Sequence, residues 1–235
     1  MKKHLVVLTG AGLSAESGLQ TFRDSDGLWM GYDVYEVASP EGWKKNPELV
    51  LDFYNMRRRD VEGASPNAAH IGIAELEKYY KVTVITQNVD DLHERAGSGN
   101  VLHLHGEIFK MRSEKTLKFR GQEIVSEIRG DIHYGDKAAD GGQLRPHIVW
   151  FGEQVPHIMD AAQIMGTADL FLLAGTSMQV YPAAGLIDYL PDGIPKYIID
   201  KNPPVLPAHH NFHVLKNTAT RGVQELINIL VNQVK

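Results

Sequence analysis

The chain of 235 residues contains no cysteine. This absence excludes disulfide bonds, a cysteine nucleophile and any zinc site with thiolate ligands. No stretch approaches the run of about 18 apolar residues that a membrane-spanning helix needs. The start Lys2-Lys3-His4 is followed by only four apolar residues before a glycine, which does not resemble a signal peptide. We therefore expect a cytoplasmic protein without a membrane partner.

Basic clusters are also scarce. The formal net charge is −5, and the short cluster Arg57-Arg58-Arg59 is followed at once by Asp60 and Glu62. A chain without a basic stripe is not expected to bind nucleic acid. Its apolar content of 43% allows a sizeable core, as one large domain or as one domain with a lobe.

The most informative segment that is present starts at Gly10 and ends at Arg23. The apolar run Leu5–Thr9 leads into Gly10-Ala11-Gly12-Leu13-Ser14-Ala15, a Gly-x-Gly-x-x-Ala turn that opens a helix. Such a turn binds a dinucleotide pyrophosphate, because glycines let the backbone approach the phosphates and the N–H groups of the helix start face the anion. Ser14 and Ser17 either donate hydroxyl groups near the phosphates or cap the turn. An ordinary strand-to-helix turn is the alternative for the short glycine motif alone.

The usual continuation of that motif is missing. A nicotinamide-dependent dehydrogenase has an acidic residue at the end of its second strand, about 20 residues on, which binds the ribose hydroxyls. Here the chain runs into the polar loop Phe22–Gly27 instead. The departure indicates that a dinucleotide is bound for something other than hydride transfer.

Apolar runs alternate with helical stretches, which favours an α/β fold: a Rossmann-like parallel sheet with helices on both faces and a smaller inserted lobe. The predicted strands are Leu5–Thr9, Val82–Thr86, Val101–Leu104, Ile148–Phe151, Leu170–Ala174 and Tyr197–Asp200. The predicted helices are Ser14–Ser17, Pro47–Val61, Asn67–Tyr80, Ile158–Thr167, Tyr181–Leu190 and Gly222–Val234. We read the chain as one domain, with the Rossmann-like lobe at about 1–30, 68–110 and 145–235 and the small lobe at about 31–67 and 111–144.

Polar residues follow the predicted strands, where ligands of such sheets bind. Asn88 and Asp90 follow one strand, His105 another and Gly175-Thr176-Ser177 a third, while Asp200 ends the last. The segment Gln87–His93 taken alone is a capped helix start. His103 and His105 share a face of a strand with Glu107, so a metal site is the alternative to His105 as a base whose ordinary pKa suits neutral pH. The segment Arg145–Glu153 taken alone is a buried strand.

These motifs together resemble the sirtuins, the NAD-dependent protein deacylases, over nearly the whole chain. The resemblance implies that NAD is a co-substrate and that an acyl-lysine protein or peptide is the partner. It also implies that His105 is the catalytic base, although the family usually has glutamate where His103 stands. The implied contacts to NAD are Gly10, Ala11, Gly12, Ser14, Ala15, Phe22, Arg23, Gln87, Asn88, Asp90, His105, Gly175, Thr176, Ser177 and Asp200, to which we add Thr218.

The resemblance also implies which residues bind the acyl-lysine substrate. Val149, Phe151, Gly152 and Glu153 would receive the acyl-lysine peptide, which adds as a β-strand. Tyr54 and Arg57 lie at i and i+3 of a predicted helix, where their side chains point the same way and a phenol and a guanidinium can bind a carboxylate. The alternative is a solvated helix face. The pair matches the Tyr-x-x-Arg pattern of the sirtuins that remove succinyl, malonyl and glutaryl groups, and Ala38 matches a small residue that widens their acyl pocket.

The reaction that the resemblance implies releases nicotinamide and gives free lysine with an O-acyl-ADP-ribose. Transfer of ADP-ribose to a protein and non-enzymatic sensing of NAD are the alternatives. The family's four zinc-binding cysteines are missing, and Ser113, Thr116, Lys137 and Asp140 or their neighbours stand there. We therefore expect no zinc and a lobe held by Leu117, Phe119, Ile124, Ile128 and Tyr134.

Overall fold

The computed structural model describes residues 2–21, 28–115 and 125–232 of the chain. The strands are β1 (His4–Thr9), β2 (Leu28–Trp29), β3 (Tyr32–Asp33), β4 (Lys81–Thr86), β5 (Val101–His103), β6 (Gly106–Ser113), β7 (Val125–Glu127), β8 (Leu144–Ile148), β9 (Leu170–Ala174), β10 (Lys196–Ile199) and β11 (His213–Leu215). The α-helices are α1 (Ala11–Ser14), α2 (Val34–Val37), α3 (Pro40–Lys45), α4 (Pro47–Gly63), α5 (Ala68–Glu75), α6 (Leu92–Arg95), α7 (Ile158–Met165) and α8 (Ala219–Asn232). Short 3₁₀ helices lie at Ala15–Ser17, Leu76–Lys78, Ala183–Tyr189 and Ala208–His210.

The main sheet is parallel throughout, with the strand order β11-β10-β9-β1-β4-β5. Strand β1 is central and buried along its whole length. The chain adds β4 and β5 on one side of β1 and then β9, β10 and β11 on the other. The strand order therefore reverses at β1, and the carboxyl ends of β1 and β9 open the crevice in which such sheets bind ligands.

Helices cover both faces of this sheet. On one face α5 and α8 pack over Leu13, with Ile73 and Leu226 in the same apolar cluster. On the other face α7 packs against the 3₁₀ helix Ala183–Tyr189, and Met165 of α7 is part of the apolar cluster between them and the sheet. The predicted fold class is confirmed. Among the described residues, no helix combines the length and the apolar character that crossing a bilayer requires.

A second, antiparallel sheet has the order β7-β6-β8 and packs with α4 against a third apolar cluster. The predicted strand Ile148–Phe151 was wrong in position, and the strand found there does not belong to the parallel sheet. The strand is β8, which ends at Ile148 and pairs with β6. The chain turns after Trp150, where Gly152 has a φ of +91°, a conformation that glycine adopts without strain.

The helix starts follow their capping residues. The Asn46 side chain accepts a hydrogen bond from the backbone N–H of Leu49 at 3.1 Å, and Pro47 occupies the first turn of α4. Asn67 caps α5 in the same way, and the His70 ring accepts a hydrogen bond from the Asn67 N–H in return. The strand β11 was missed because it has three residues, two of them exposed.

Polar side chains connect two segments of the small lobe, at positions 113 and 140–142. Ser113 donates to Asp140 Oδ1 at 2.9 Å, and the Gly142 N–H donates to the same oxygen. Tyr134 is 63% exposed, so its predicted packing role was wrong. Thr116, Leu117, Phe119 and Ile124 lie outside the described residues, and Ile128 is half-buried.

We predict that Gly222→Ala destabilises the protein by about 1–3 kcal/mol, the usual cost of overpacking a core. A Cβ at position 222 of α8 would overlap Cγ2 of Ile199 on β10. Urea unfolding followed by circular dichroism measures the change. Gly63→Ala is the matched control, because nothing lies within 4 Å of a Cβ at the end of α4. Equal free energies of unfolding for the two variants would contradict the prediction.

Candidate active site

The turn after β1 and the turn after β9 are in direct backbone contact. The Gly12 N–H donates to the Gly175 carbonyl at 2.8 Å, and the Gly10 N–H donates to the Ala174 carbonyl at 3.2 Å. A Cβ on Gly12 would lie 2.8 Å from the Gly175 carbonyl oxygen, and a Cβ on Gly10 would lie 2.8 Å from Cβ of Thr176. These glycines are therefore required by the packing of one turn against the other, in addition to the predicted approach to phosphate.

A cavity of about 620 Å³ lies above this contact, within the range of small-molecule sites. It brings together residues that the sequence predicted as one site, namely Gly10, Ala11, Gly12, Ser14, Ala15, Ala38, Tyr54, Arg57, Gln87, Asn88, Asp90, His105, Val149, Phe151, Gly152, Glu153, Gly175, Thr176, Ser177 and Asp200. Thr218 does not line it, although Ala219 does. Phe22 and Arg23 lie outside the described residues. Lining residues that the sequence analysis missed include Trp29, Trp150 and Lys201.

Ser14 is the centre of a buried hydrogen-bond network on the cavity wall. The Asn67 N–H donates to Nδ1 of His70, so the His70 proton is on Nε2, which lies 3.4 Å from the Ser14 oxygen. The Asn88 side-chain amide also donates to Ser14, at 3.0 Å. Ser14 in turn donates to Asp90 Oδ2 at 3.0 Å. The single Ser14 proton is thus used on Asp90, and a contact of Ser14 with NAD remains a prediction.

Burial raises the pKa of Asp90, while the hydrogen bonds from the Leu92 N–H and the Ser14 hydroxyl oppose that shift. Burial also lowers the pKa of His70 to about 4. His70 is therefore neutral at physiological pH, and it supports Ser14 as a donor without adding a charge to the wall.

His105 is held with one ring nitrogen facing the cavity. Its Nδ1 lies 3.0 Å from the Gln87 carbonyl oxygen, and the Gln87 side-chain amide donates to Thr176 at 3.0 Å. A carbonyl only accepts, so Nδ1 carries the proton and Nε2 keeps its lone pair. Burial lowers the pKa of His105, and the Gln87 carbonyl opposes the shift. The ring is a neutral base at physiological pH.

His103 faces away from this cavity, and its Nε2 lies 2.8 Å from a Glu94 oxygen. The rings of His103 and His105 therefore do not face a common point, and both would have to do so in order to bind one metal ion. Within the described ranges, no three His, Asp or Glu side chains are grouped so that they could hold a metal ion.

The far end of the cavity contains the helical pair Tyr54 and Arg57. Both side chains are buried, and the Arg57 Nε has no hydrogen-bond partner among the described residues. The Tyr54 oxygen faces the indole N–H of Trp150, a group that can only donate, so the phenol proton is available to a ligand. The guanidinium lies 5.4 Å from the ring centre of Trp29, donates weakly to the Met30 sulfur at 3.4 Å and lies 3.8 Å from Asp60. The pair is not a solvated helix face.

The ionisation of this pair follows from its burial. Burial raises the pKa of Tyr54 well above its ordinary value, against the opposing effect of Trp150 and Arg145. Burial lowers the pKa of Arg57, against Asp60 and Asp90, but a guanidinium stays charged at neutral pH. A phenol donor and a cation with free donor capacity thus face the same space.

The segment after β8 forms a further wall of the cavity and packs against Tyr54 through Trp150. The Val149 N–H donates to the His105 carbonyl at 2.9 Å, and the Phe151 N–H donates to the Ala38 carbonyl at 3.0 Å. The Glu153 carboxylate accepts from Arg145 at 2.7 Å and from the Trp150 N–H at 2.8 Å. Glu153 therefore fixes the backbone of this wall, and its predicted contact with substrate remains a prediction.

Comparison with known proteins identifies the family. Residues 10–182 match the Sir2 family. The chain belongs to that family. A Bacteroides thetaiotaomicron protein named NAD-dependent protein deacylase is 50% identical over 232 residues, which are 97% of this chain and 98% of that protein. A Helicobacter pylori protein of the same name is 52% identical over 231 residues, with 97% and 98% covered.

Solved Sir2 structures have the same fold. The crystal structure of a Sir2 homologue–NAD complex is 38% identical and matches with a TM-score of 0.87, covering all (100%) of this chain and 91% of that one. A mutant Sir2 homologue in complex with ADP-ribose also gives 0.87 at 38% identity, covering 100% of this chain and 95% of that one. The family relationship thus extends over both the parallel sheet and the small lobe.

We predict that His105 titrates below its ordinary value of 6.5 and that its neutral form carries the proton on Nδ1. Long-range ¹H–¹⁵N correlation spectra recorded over a pH series report both properties. His105→Asn identifies the resonance, since only that ring signal disappears. A neutral ring protonated on Nε2, or a pKa above 6.5, would show that burial and the Gln87 carbonyl do not control this histidine.

Proposed function

We propose that this Sir2-family enzyme is an NAD-dependent protein-lysine deacylase that prefers the acidic acyl groups succinyl, malonyl and glutaryl over acetyl. Its relatives at about half identity bear the name NAD-dependent protein deacylase. One observation supports the preference for acidic acyl groups. The cavity that His105 lines is also lined by the buried Tyr54–Arg57 pair, and the Arg57 Nε has no hydrogen-bond partner among the described residues.

The residues present fit NAD as co-substrate. The cavity extends from the glycine turn to Asp200 and Lys201 at the end of β10, which gives room for an extended dinucleotide. When bound, NAD supplies an electrophilic ribose carbon and nicotinamide as the leaving group. The turn Gly10–Gly12 and the wall residues Gln87 and Asn88 are placed to bind its phosphates and its ribose.

His105 acts as the base of the reaction. Its free Nε2 accepts a proton from a ribose hydroxyl, while the Gln87 carbonyl keeps Nδ1–H in place and stabilises the imidazolium that results. Asp90, which accepts from Ser14, orders the wall beside it. Because Val149 is hydrogen-bonded to the His105 carbonyl, the base and the wall for the acyl-lysine peptide keep a fixed spacing.

Arg57 and Tyr54 bind the carboxylate at the tip of an acidic acyl group. A carboxylate that enters this end of the cavity leaves water and needs a charged donor, and Arg57 is a cation of which only 7% of the side chain is exposed. Its neighbours Met30 and Trp29 are weak partners that a carboxylate readily replaces. An acetyl group offers no anion, so Arg57 then keeps only Met30, Trp29 and the long ion pair with Asp60 at 3.8 Å.

We infer that the small lobe functions without zinc. The chain has no cysteine, and Ser113 and Asp140, which the resemblance puts at or next to two of the family's zinc-ligand positions, bond to each other at 2.9 Å. The Gln143 side chain strengthens the same region by donating to the His133 carbonyl at 2.9 Å and accepting from the Gly135 N–H at 2.7 Å.

We predict that Arg57→Met lowers kcat/KM for a succinyl-lysine peptide by roughly 30-fold or more, because truncating one partner of a buried ion pair costs about 2–5 kcal/mol. Deacetylation should change by about threefold or less, since acetyl leaves the guanidinium unused. Matched acetyl- and succinyl-lysine peptides followed by mass spectrometry give both values. Arg59→Met is the control on the same helix, because Arg59 is 58% exposed and bonds to Asp131. Equal losses for the two peptides would end the argument for a carboxylate receptor.

We predict that His105→Ala lowers deacylation by about 10²–10⁴-fold, the usual contribution of a general base. In the wild type, kcat/KM for the peptide, measured at saturating NAD, should rise with pH through the lowered pKa of His105 and level off above 6.5. Mass spectrometry of the products should show free lysine and an O-acyl-ADP-ribose. An ADP-ribosylated protein as the only product would instead assign the transferase activity.

A further inference from the structure

Both ring nitrogens of His103 face oxygens that can only accept. His103 ends β5 and is 9% exposed. Its Nδ1 lies 2.9 Å from the Asn88 carbonyl oxygen, and its Nε2 lies 2.8 Å from Glu94 Oε1. A carbonyl and an ionised carboxylate have no proton to donate, so each nitrogen must carry its own. The geometry is that of a doubly protonated imidazolium.

The carbonyl that His103 contacts belongs to a segment on the cavity wall. The Asn88 N–H donates to the Thr86 hydroxyl at 3.0 Å, and the Asn88 side chain donates to Ser14, which donates to Asp90. The N–H, the side-chain amide and the carbonyl of Asn88 are thus all hydrogen-bonded. The bond to the carbonyl comes from His103, on the side away from the cavity. Fixing this carbonyl fixes the peptide that leads from Asn88 to Asp90.

The charges around His103 favour its protonated form. Burial alone would lower its pKa, but the hydrogen bond and the charge of Glu94 outweigh burial and raise it. Glu107, which is paired with Lys110 at 2.7 Å, adds a smaller effect in the same direction. The positive ring in return opposes the rise that burial causes in the pKa of Asp90, and it adds to the lowering of the pKa of His93 on α6 that burial and His70 cause.

We propose that His103 is a positioning residue of the cofactor site, which as an imidazolium clamped between Glu94 and the Asn88 carbonyl holds the Asn88–Asp90 segment in the shape that binds ADP-ribose. The identity of this ligand rests on the proposed function, whereas the clamp itself does not. Loss of the proton leaves one N–H for two acceptors, so either the Asn88 carbonyl or Glu94 then faces a nitrogen lone pair. The segment loosens, and the affinity for the nucleotide falls.

The clamp is tested first on the protein without ligand. At about pH 6 the ¹⁵N shifts of His103 should show both ring nitrogens protonated, with deprotonation only above the ordinary value near 6.5. Glu94→Gln keeps an acceptor at this position but removes the charge, so it should lower the pKa of His103 more than Glu107→Gln does. A ring with one proton at about pH 6, or equal shifts in the two variants, would overturn the proposal.

The same proton should stabilise the fold. A pKa raised in the folded state gives stability that is complete below the unfolded value and is lost as the pH rises through the folded value. The difference in unfolding free energy between the wild type and His103→Gln should therefore be largest near about pH 6 and should shrink toward about pH 9. A difference that does not vary with pH would mean that His103 has a packing role only.

ADP-ribose binding measured by calorimetry connects the clamp to the site. Between about pH 6 and about pH 9 the wild-type Kd should rise roughly threefold to tenfold, the effect of losing one hydrogen bond. His103→Gln should bind more weakly at the lower pH and show a flat profile. If the wild type binds with no pH dependence, the clamp does not act on the site. If ADP-ribose does not bind at any pH, the proposed function fails, while the spectra still decide the state of His103.

Discussion

The site depends on the contact between two backbone turns. Where the turn after β1 meets the turn after β9, Gly12 and Gly175 approach so closely that neither position has room for a Cβ. This contact brings the ends of the two central strands together and sets the floor of the cavity. Residues that follow the separate strands β4, β5 and β10, such as Gln87, His105 and Asp200, then line one space, because these strands are in register with β1 and β9.

The pKa values of His103 and His105, which are separated by one residue, are shifted in opposite directions. His105 bonds to a neutral carbonyl, so burial dominates and the ring is a base. His103 bonds to a similar carbonyl and also to Glu94, and the added carboxylate reverses the result. The same residue type thus supplies a proton acceptor inside the cavity and a fixed cation behind its wall. The difference between the two pKa shifts comes from the Glu94 carboxylate on α6 and not from the positions of the histidines along the chain.

The apolar runs were sufficient to predict the strands of the central sheet apart from β11, because a buried parallel strand leaves a continuous signal. The strand-end rule predicted part of the cavity lining, namely Asn88, Asp90, His105, Gly175–Ser177 and Asp200, while the glycine motif and the family resemblance supplied the other predicted lining residues. The antiparallel sheet was harder to predict from the sequence. In β6, Lys110 and Arg112 interrupt the apolar pattern, and β8 contains Pro146. The Glu94–His103 pair and the bonds of Glu153 join residues whose proximity only the folded chain creates, so no spacing in the sequence indicates them. The glycine motif predicted the correct turn for a reason that was incomplete, since Gly12 is required by Gly175 even without phosphate.

The antiparallel sheet is attached to the cavity through the ends of its own strands. Strand β6 starts at Gly106, directly after His105, and β8 ends at Ile148, directly before Val149. Because the Val149 N–H is bonded to the His105 carbonyl, these two exits are also joined to each other. His105 is in turn bonded to the Gln87 carbonyl beside the parallel sheet. A rotation of the small lobe about these two exits would therefore leave His105 and Val149 at the same distance from each other and from the glycine turn.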